Sequence, residues 1–304
     1  MEKICIATIN FNSEKETHDC LVSLQRLDTD GLDVSIVVID NGSKSPFVLN
    51  DSEKKSGIIL IRSEKNVGFT GGSNMGIEYS LSHGCDYVML INNDTIVDKN
   101  LLKELLKPFH DTKETGLVAP KIYFLKGHEY HLDQYKKEEL GKVIWYAGGY
   151  VDWANVFTRH RGVDEVDHGQ YDKEEKITFA TGCCMLIKRE VLEKIGKFDD
   201  KYFLYFEDGD LSQRILNDGY TIVYNPRAFL WHITAASGEG SGSALHDYYL
   251  TRNRMIFGIS YAPLRSKIAL MKESVTLLFR GRQWQKKGIQ DFYTNHFGKG
   301  SYDK

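Results

Sequence analysis

Short apolar runs alternate with segments of helical spacing through the first hundred residues. Residues 4–9 form a β-rich apolar run, and behind it Cys20, Leu21, Leu24 and Leu27 recur at the intervals of one helix face. Ser13 and Glu16 have the spacing of a capping box and predict that helix's start. Residues 34–39 are apolar except for Ser35, as expected of a strand buried on both faces. Residues 58–61 predict a third strand, 75–81 a helix and 87–91 a fourth strand. Such alternation predicts an α/β fold with a mixed, mostly parallel sheet flanked by helices. In such sheets ligands lie beyond the carboxyl ends of the strands. Polar residues follow the strands accordingly: Asn10, Phe11 and Asn12 after the first, Asp40 to Ser43 after the second, Asn92 to Asp94 after the fourth.

The second half is less regular. Residues 126–139 are polar and predict a surface excursion, 145–150 and 179–187 strands, and 189–195 a helix. Residues 202–206, mostly aromatic, lead into a helix starting near Glu207, and residues 221–224 and 229–232 read as two short strands. The Gly/Ser run at 237–243 is flexible by composition and predicts a mobile lid. From Tyr248 the pattern is helical, with Ile268, Met271, Val275 and Leu278 on one face among Lys267, Lys272 and Arg280.

Composition narrows the class. With 41% hydrophobic and 27% charged residues the chain has the profile of a soluble globular enzyme, and no apolar run approaches the ~20 residues of a membrane span. The opening residues read as a strand rather than a secretory signal, so a cytoplasmic location is expected. The five cysteines include no CxxC pair, which disfavours a zinc site or disulfide framework. The net charge of −3 conceals an asymmetry: from residue 251 on, eleven basic residues face three acidic ones, leaving an acidic body. That basic end suggests either packing on the body or peripheral docking on an anionic membrane.

Several segments carry candidate chemistry, each with a plain structural alternative. Asp40 could accept a base N–H or simply form a turn. The glycine-rich stretch from Asn66 to Gly76 could bring backbone N–H groups to a phosphate, though it is neither GxGxxG nor a P-loop. Asp94 could hold a divalent cation or cap the next helix with Thr95. Glu207, Asp208 and Asp210 crowd three acids at a helix start, where Asp208 suits a general base in an aromatic cleft. His232 ends an apolar strand; a lone histidine is more often structural than a ligand, but its place just before the Gly/Ser run raises the odds of a metal or diphosphate role.

Taken in order, ATINFN, VVIDNGS, NVGFTGGSNMGI, LINNDT, the segment from TGCC to NDGY, NPRAFLWH and YYLTRNR resemble family-2 glycosyltransferases of the GT-A (Rossmann-like) fold, particularly the rhamnosyltransferase-like branch. The resemblance spans roughly residues 4–254. It implies a nucleotide-sugar-binding half at 1–115, an acceptor and catalytic half at 116–245, and a basic helical extension at 246–304. It also implies an inverting hexosyltransferase that uses a divalent cation, Mn2+ or Mg2+. The implied donor is dTDP-rhamnose or a UDP-hexose, the acceptor a glycan or lipid-linked sugar of bacterial envelope polysaccharide, with no nucleic-acid partner. A non-catalytic glycan- or nucleotide-binding module of the same fold is the alternative.

By the resemblance Asp208 is the catalytic base. Phe11, Asp40, Asn66, Gly68, Gly71, Asn74, Asn92, Asp94 and Arg252 bind the nucleotide sugar. Asp94 and His232 hold the metal, and Glu207 and Trp231 stand on the acceptor side. The first acid of the family's metal motif is Asn92 here, which implies weaker cation binding.

Overall fold

The computed structural model describes residues 1–233 and 242–302. The first half runs β1 (Glu2–Asn10), α1 (Glu14–Leu24), β2 (Leu32–Asn41), α2 (Asp51–Lys55), β3 (Ile59–Ser63), α3 (Gly68–Ser82) and β4 (Tyr87–Asn92). It continues with β5 (Thr95–Val97), α4 (Leu101–Asp111) and β6 (Thr115–Phe124). Then come β7 (Ile144–Tyr146), β8 (Gly149–Asp152), β9 (Phe157–His160), β10 (Glu175–Ile177), β11 (Cys184–Lys188), α5 (Arg189–Ile195), α6 (Glu207–Asn217) and β12 (Thr221–His232). Three helices follow: α7 (Ala244–Tyr261), α8 (Leu264–Arg280) and α9 (Gln283–Tyr293).

One mixed sheet runs through both halves in the order β10-β12-β6-β11-β4-β1-β2-β3. The β4-β1-β2-β3 side is parallel throughout, while β11 runs antiparallel to both β4 and β6. The continuous apolar runs are explained by burial: Ile4, Ile6, Val38, Val88, Leu90 and Leu186 all lie in the main core. A second core joins the C-terminal helices to the site. Phe206, Val151 and Val156 pack with Met255 and Phe257 of α7 and Leu270 of α8.

The elements differ from the sequence expectation where long-range contacts decide. Ser13 precedes α1 without capping it, because its hydroxyl accepts from Asn93 Nδ2 at 2.7 Å instead. The strand expected over 145–150 is split into β7 and β8 at Gly148, whose φ of +88° breaks the pleat. Only 184–187 of the expected strand 179–187 is extended in the sheet, within β11, and residues 181–183 turn toward a cavity. The two short strands expected after Thr221 are one strand, β12, with a register shift between Asn225 and Phe229.

The glycine-rich stretch is mostly helix. α3 begins at Gly68, not near Met75, and its Gly72 and Gly76 admit the sheet. A Cβ on Gly76 would lie 2.5 Å from the Ala7 Cβ, and one on Gly72 3.1 Å from Ile9 Cδ1. Gly76→Val should therefore lift α3 off β1 and destabilise the fold by about 1–3 kcal/mol through overpacking. Urea unfolding checks this, and an unchanged midpoint would mean that α3 is free to slide. Residues 237–241 of the expected lid lie outside the described residues. Ser243 caps α7, its hydroxyl accepting from the His246 N–H at 3.2 Å.

Candidate active site

The carboxyl ends of β1, β2 and β4 form one rim. Strand register sets Asn10 level with Asp40 and Ile9 level with Asn92. Asp40 is fully buried, accepting from the Ser43 and Phe47 N–H groups at 3.2 and 3.0 Å and pairing with Arg62. Burial alone would raise its pKa, but Ser43, the Phe47 amide and Arg62 together hold it below the usual carboxylate range. The carboxylate expected to meet a base is thus engaged by the chain's own donors. Phe11 stands exposed just past β1.

Past β4 the chain turns directly into β5, which pairs antiparallel with β12, so Asp94 caps no helix. Thr95 lies level with His232, and the turn sets Asp94 Oδ1 3.1 Å from His232 Nε2. The Ile233 N–H donates to the Asp94 carbonyl at 2.8 Å. His232 is buried, and its Nδ1 has no hydrogen-bond partner among the described residues. Asn93 braces the turn by donating to Ser13 Oγ and Thr17 Oγ1, both at 2.7 Å.

Asp208 enters from the first turn of α6. Its Oδ2 accepts from the Gly182 N–H at 3.0 Å and its Oδ1 from the Gly209 N–H at 2.8 Å. Burial pushes its pKa up to about 6, and those N–H groups limit the rise. Glu207 is raised well above the ordinary glutamate value by burial first and by the charge of Asp208 next. Its buried Oε2 has no partner among the described residues. Asp210 faces elsewhere, bonded to the Tyr261 hydroxyl at 2.7 Å and to Arg214 Nε at 2.8 Å.

A cavity of about 400 Å³ joins these groups. Asn92, His232, Glu207 and Asp208 line it together with Trp145, Phe157, Thr158, His160 and residues 181–183. Residues 182 and 183 bridge its two ends: Gly182 donates to Asp208 while the Asn92 N–H donates to the Cys183 carbonyl at 2.8 Å. Asp94 stands behind His232. The Trp145 ring meets the His160 and His232 rings edge-on, at 4.5 and 4.6 Å between centroids. Burial pushes the His160 pKa down to about 4, so that ring is neutral near pH 7. Trp145, Thr158 and His160 went unread because they sit in strands of ordinary composition. The Thr181-Gly182 break inside an apolar run was the available signal.

Five expected site residues, Trp231, Asn66, Gly68, Gly71 and Asn74, do not line that cavity. Trp231 alternates away from His232 along β12, packs near Tyr123 and Phe229, and donates its indole N–H to the Gly141 carbonyl at 3.0 Å. Asn66, Gly71 and Asn74 line a separate cavity of about 440 Å³ with Lys65, Lys197 and Phe203. Asn74 braces that wall, donating to the Phe198 carbonyl and Asp200 Oδ1 and accepting from the Phe198 N–H. A Cβ on Gly68 (φ +79°) would strike Phe203, so that glycine is needed for packing. From the same helix it is Phe69 that reaches the cavity lined by Asp208.

Arg252, expected at the diphosphate, is instead fully buried in a clamp. Phe203, Tyr205 and Phe206 take left-handed φ values of 64°, 69° and 70° immediately before Glu207. Such values cost non-glycine residues about 1–3 kcal/mol each and persist only where other contacts enforce them. Arg252 Nη2 donates to the Lys201 and Tyr202 carbonyls. Asn253 Nδ2 reaches the Tyr202, Leu204 and Tyr205 carbonyls at 2.7–2.9 Å. The pair holds the strained turn that aims Asp208. Asn253→Ala should lower kcat on the order of 10- to 100-fold with little change in donor KM, since sub-ångström placement is what it removes. Steady-state kinetics beside a folding control decide this, and wild-type kcat would dismiss the clamp.

Among the described residues no group of three or more His, Cys, Asp or Glu is arranged to hold a metal. The smaller set fits a divalent cation that a ligand completes. It consists of the Asp94 carboxylate, the His232 imidazole with its orphaned buried nitrogen, and the Asn92 amide on the cavity wall. A magnesium-like ion accepts a few protein ligands when phosphate and water oxygens supply the rest.

The same architecture recurs in solved nucleotide-sugar enzymes. The chain superposes over 97% of its length on 58% of GalNAc-T7, solved with UDP, GalNAc and Mn2+, with a TM-score of 0.63 at 15% identity. It superposes over 98% of its length on 76% of a Pyrobaculum calidifontis mannosyltransferase, solved with GDP-Man and Mn2+, with a TM-score of 0.51 at 14% identity. The fold is that of the GT-A glycosyltransferases. The model of Glycosyl transferase family 2 matches residues 5–196, and the chain belongs to that family.

Curated relatives include a low-salt glycan biosynthesis hexosyltransferase of Haloferax volcanii, 24% identical across 73% of this chain and 64% of its own length. A dTDP-rhamnosyl transferase of Shigella flexneri is 25% identical across 73% of this chain and 69% of its own length. An N-acetylglucosaminyl-diphospho-decaprenol L-rhamnosyltransferase of Mycobacterium tuberculosis is 24% identical across 70% of both chains. The chain thus spans somewhat less than two thirds of the Haloferax protein.

Proposed function

We propose that this chain transfers a hexosyl group from a nucleotide-diphosphate donor to an acceptor hydroxyl by single displacement, inverting the anomeric carbon. The observation that carries the reading is the shared cavity, with Asp208 at one end and His232, backed by Asp94, at the other. Asp208 accepts the acceptor's proton as the new carbon–oxygen bond forms and the bond to the diphosphate breaks. The Gly182 and Gly209 N–H groups fix its carboxylate. Glu207, its pKa raised by burial and by its charged neighbours, offers its carboxyl group to the acceptor's hydroxyls. Trp145 holds His232 in place and walls the sugar from water. Asp94 and His232 would hold a divalent cation, which would supply charge neutralisation for the departing diphosphate.

The names of the Shigella and Mycobacterium relatives favour dTDP-rhamnose as donor and a lipid-linked glycan as acceptor, with a UDP-hexose as the second choice. A lipid-linked acceptor agrees with peripheral attachment to an anionic membrane through residues 246–304, on the inner face of the plasma membrane. Among the described residues no helix is long and apolar enough to cross one. A thermal-shift screen of nucleotide sugars with and without manganese, followed by product analysis, tests the donor. No stabilisation by any nucleotide sugar together with no transfer would reject the reading.

A further inference from the structure

α8 carries two apolar faces. Leu270 and Ser274 are buried on one, with Leu270 lying against Gly258 of α7, where a Cβ would collide with it. The other holds Leu264, Ile268, Val275 and Phe279, which are 74%, 49%, 50% and 77% exposed. These positions differ by four, seven and four residues, so they form a single stripe, about 22 Å long at 1.5 Å per residue. A helix packed on a domain needs one apolar face. The second has no hydrophobic cover among the described residues.

The charges beside the stripe are of one sign. Arg265 and Lys272 follow one edge and Lys267 the other. The only acid of α8, Glu273, lies on the opposite side and pairs with Arg254 at 2.7 Å. The expected face of Ile268, Met271, Val275 and Leu278 is thus rotated: Met271 and Leu278 turn partly into the body, and Leu264 and Phe279 take the outside.

We propose that the Leu264, Ile268, Val275 and Phe279 stripe of α8 inserts into the interfacial layer of an anionic lipid bilayer. The basic edges select this occupant. A second copy docked on the same stripe would set like charges face to face, whereas acidic headgroups complement them. The placement suits the chemistry. Gly258, which Leu270 overlies, also abuts Val156, and the next two residues, Phe157 and Thr158, wall the catalytic cavity. A lipid surface met by the outer face of α8 therefore lies across that one helix from these cavity residues.

The inference rests on the reading of residues 246–304 as membrane-facing, and its test separates the two. The full chain is sedimented with phosphatidylcholine vesicles, with and without phosphatidylglycerol. Wild type should bind only the phosphatidylglycerol vesicles, and less as salt rises. The double variant Leu264→Glu, Phe279→Glu should bind at least about tenfold less, with unchanged unfolding midpoint because both sites are exposed. Lys272→Glu with Arg265→Glu should also weaken binding. Equal binding by wild type and both variants would overturn the role of α8 while leaving the wider segment as the anchor. No binding by wild type would overturn both. A wild-type dimer in light scattering that the Leu264→Glu, Phe279→Glu variant dissolves would make the stripe an interface between copies.

Discussion

Asp208→Asn should lower the transfer rate by roughly 100- to 10,000-fold, the range typical of a lost general base. Nucleotide affinity should stay within a few-fold. An amide keeps one oxygen for one of the two N–H groups that Asp208 now satisfies, and turns an NH2 toward the other. The variant therefore loses one buried hydrogen bond, a cost of about 1–3 kcal/mol, but also a charge crowded against Glu207. It should fold. Wild-type pH dependence gives an independent check. With the Asp208 pKa pushed up to about 6 by burial, the base is ionised above that pH and protonated below it. kcat/KM should therefore be level near pH 7 to 8 and fall about tenfold per pH unit below 6, the midpoint belonging to the Glu207–Asp208 pair as a unit. Asp208→Asn retaining more than a tenth of wild-type turnover, or a profile level down to pH 4.5, would remove Asp208 from the role.

The readable and unreadable parts of this site differ in the range of the forces that set them. β1, β2 and β4 are legible because burial on both faces demands unbroken apolar runs, and a polar residue ending such a run must sit at the sheet's rim. That logic places Asn92 at the end of β4, Asp94 just past it and His232 at the end of β12 without tertiary information. The crowding of Glu207, Asp208 and Asp210 was equally visible, since three adjacent acids are unfavourable without a special environment. What failed were local motifs overruled by distant partners. Ser13 looks like a cap, but Asn93, eighty residues away, engages its hydroxyl. The glycines of α3 look like a phosphate loop, yet Ala7, Ile9 and Phe203 occupy the space a side chain would take. Arg252 looks like an anion ligand, but its guanidinium lies over the Tyr248 and Tyr249 rings and serves the backbone of residues 201–202. In each case the residue type was read correctly as special, and the reason came from a contact that no local window contains.

Removing divalent cations should stop turnover, and the residues at the far end of the cavity should show why. Chelation followed by Mn2+ or Mg2+ should abolish and then restore transfer. Asp94→Ala removes the only full negative charge of the candidate ligand set and should raise the donor's Kd, measured by calorimetry with manganese present, at least about tenfold, since it is one of few protein ligands. His232→Ala should weaken the donor less, because imidazole supplies no charge. The informative variant is Asn92→Asp. An amide oxygen coordinates without charge, so the native site should hold a cation weakly until the diphosphate joins it. A carboxylate there would add the missing charge beside the one on Asp94, two like charges that a cation stabilises and that repel without it. Asn92→Asp should therefore bind manganese in the absence of nucleotide, where wild type barely does, and should be less stable than wild type once the metal is removed. Equal metal affinity for the two proteins, or turnover indifferent to chelator, would show that Asp94 and His232 contact the donor directly and that no ion mediates between them.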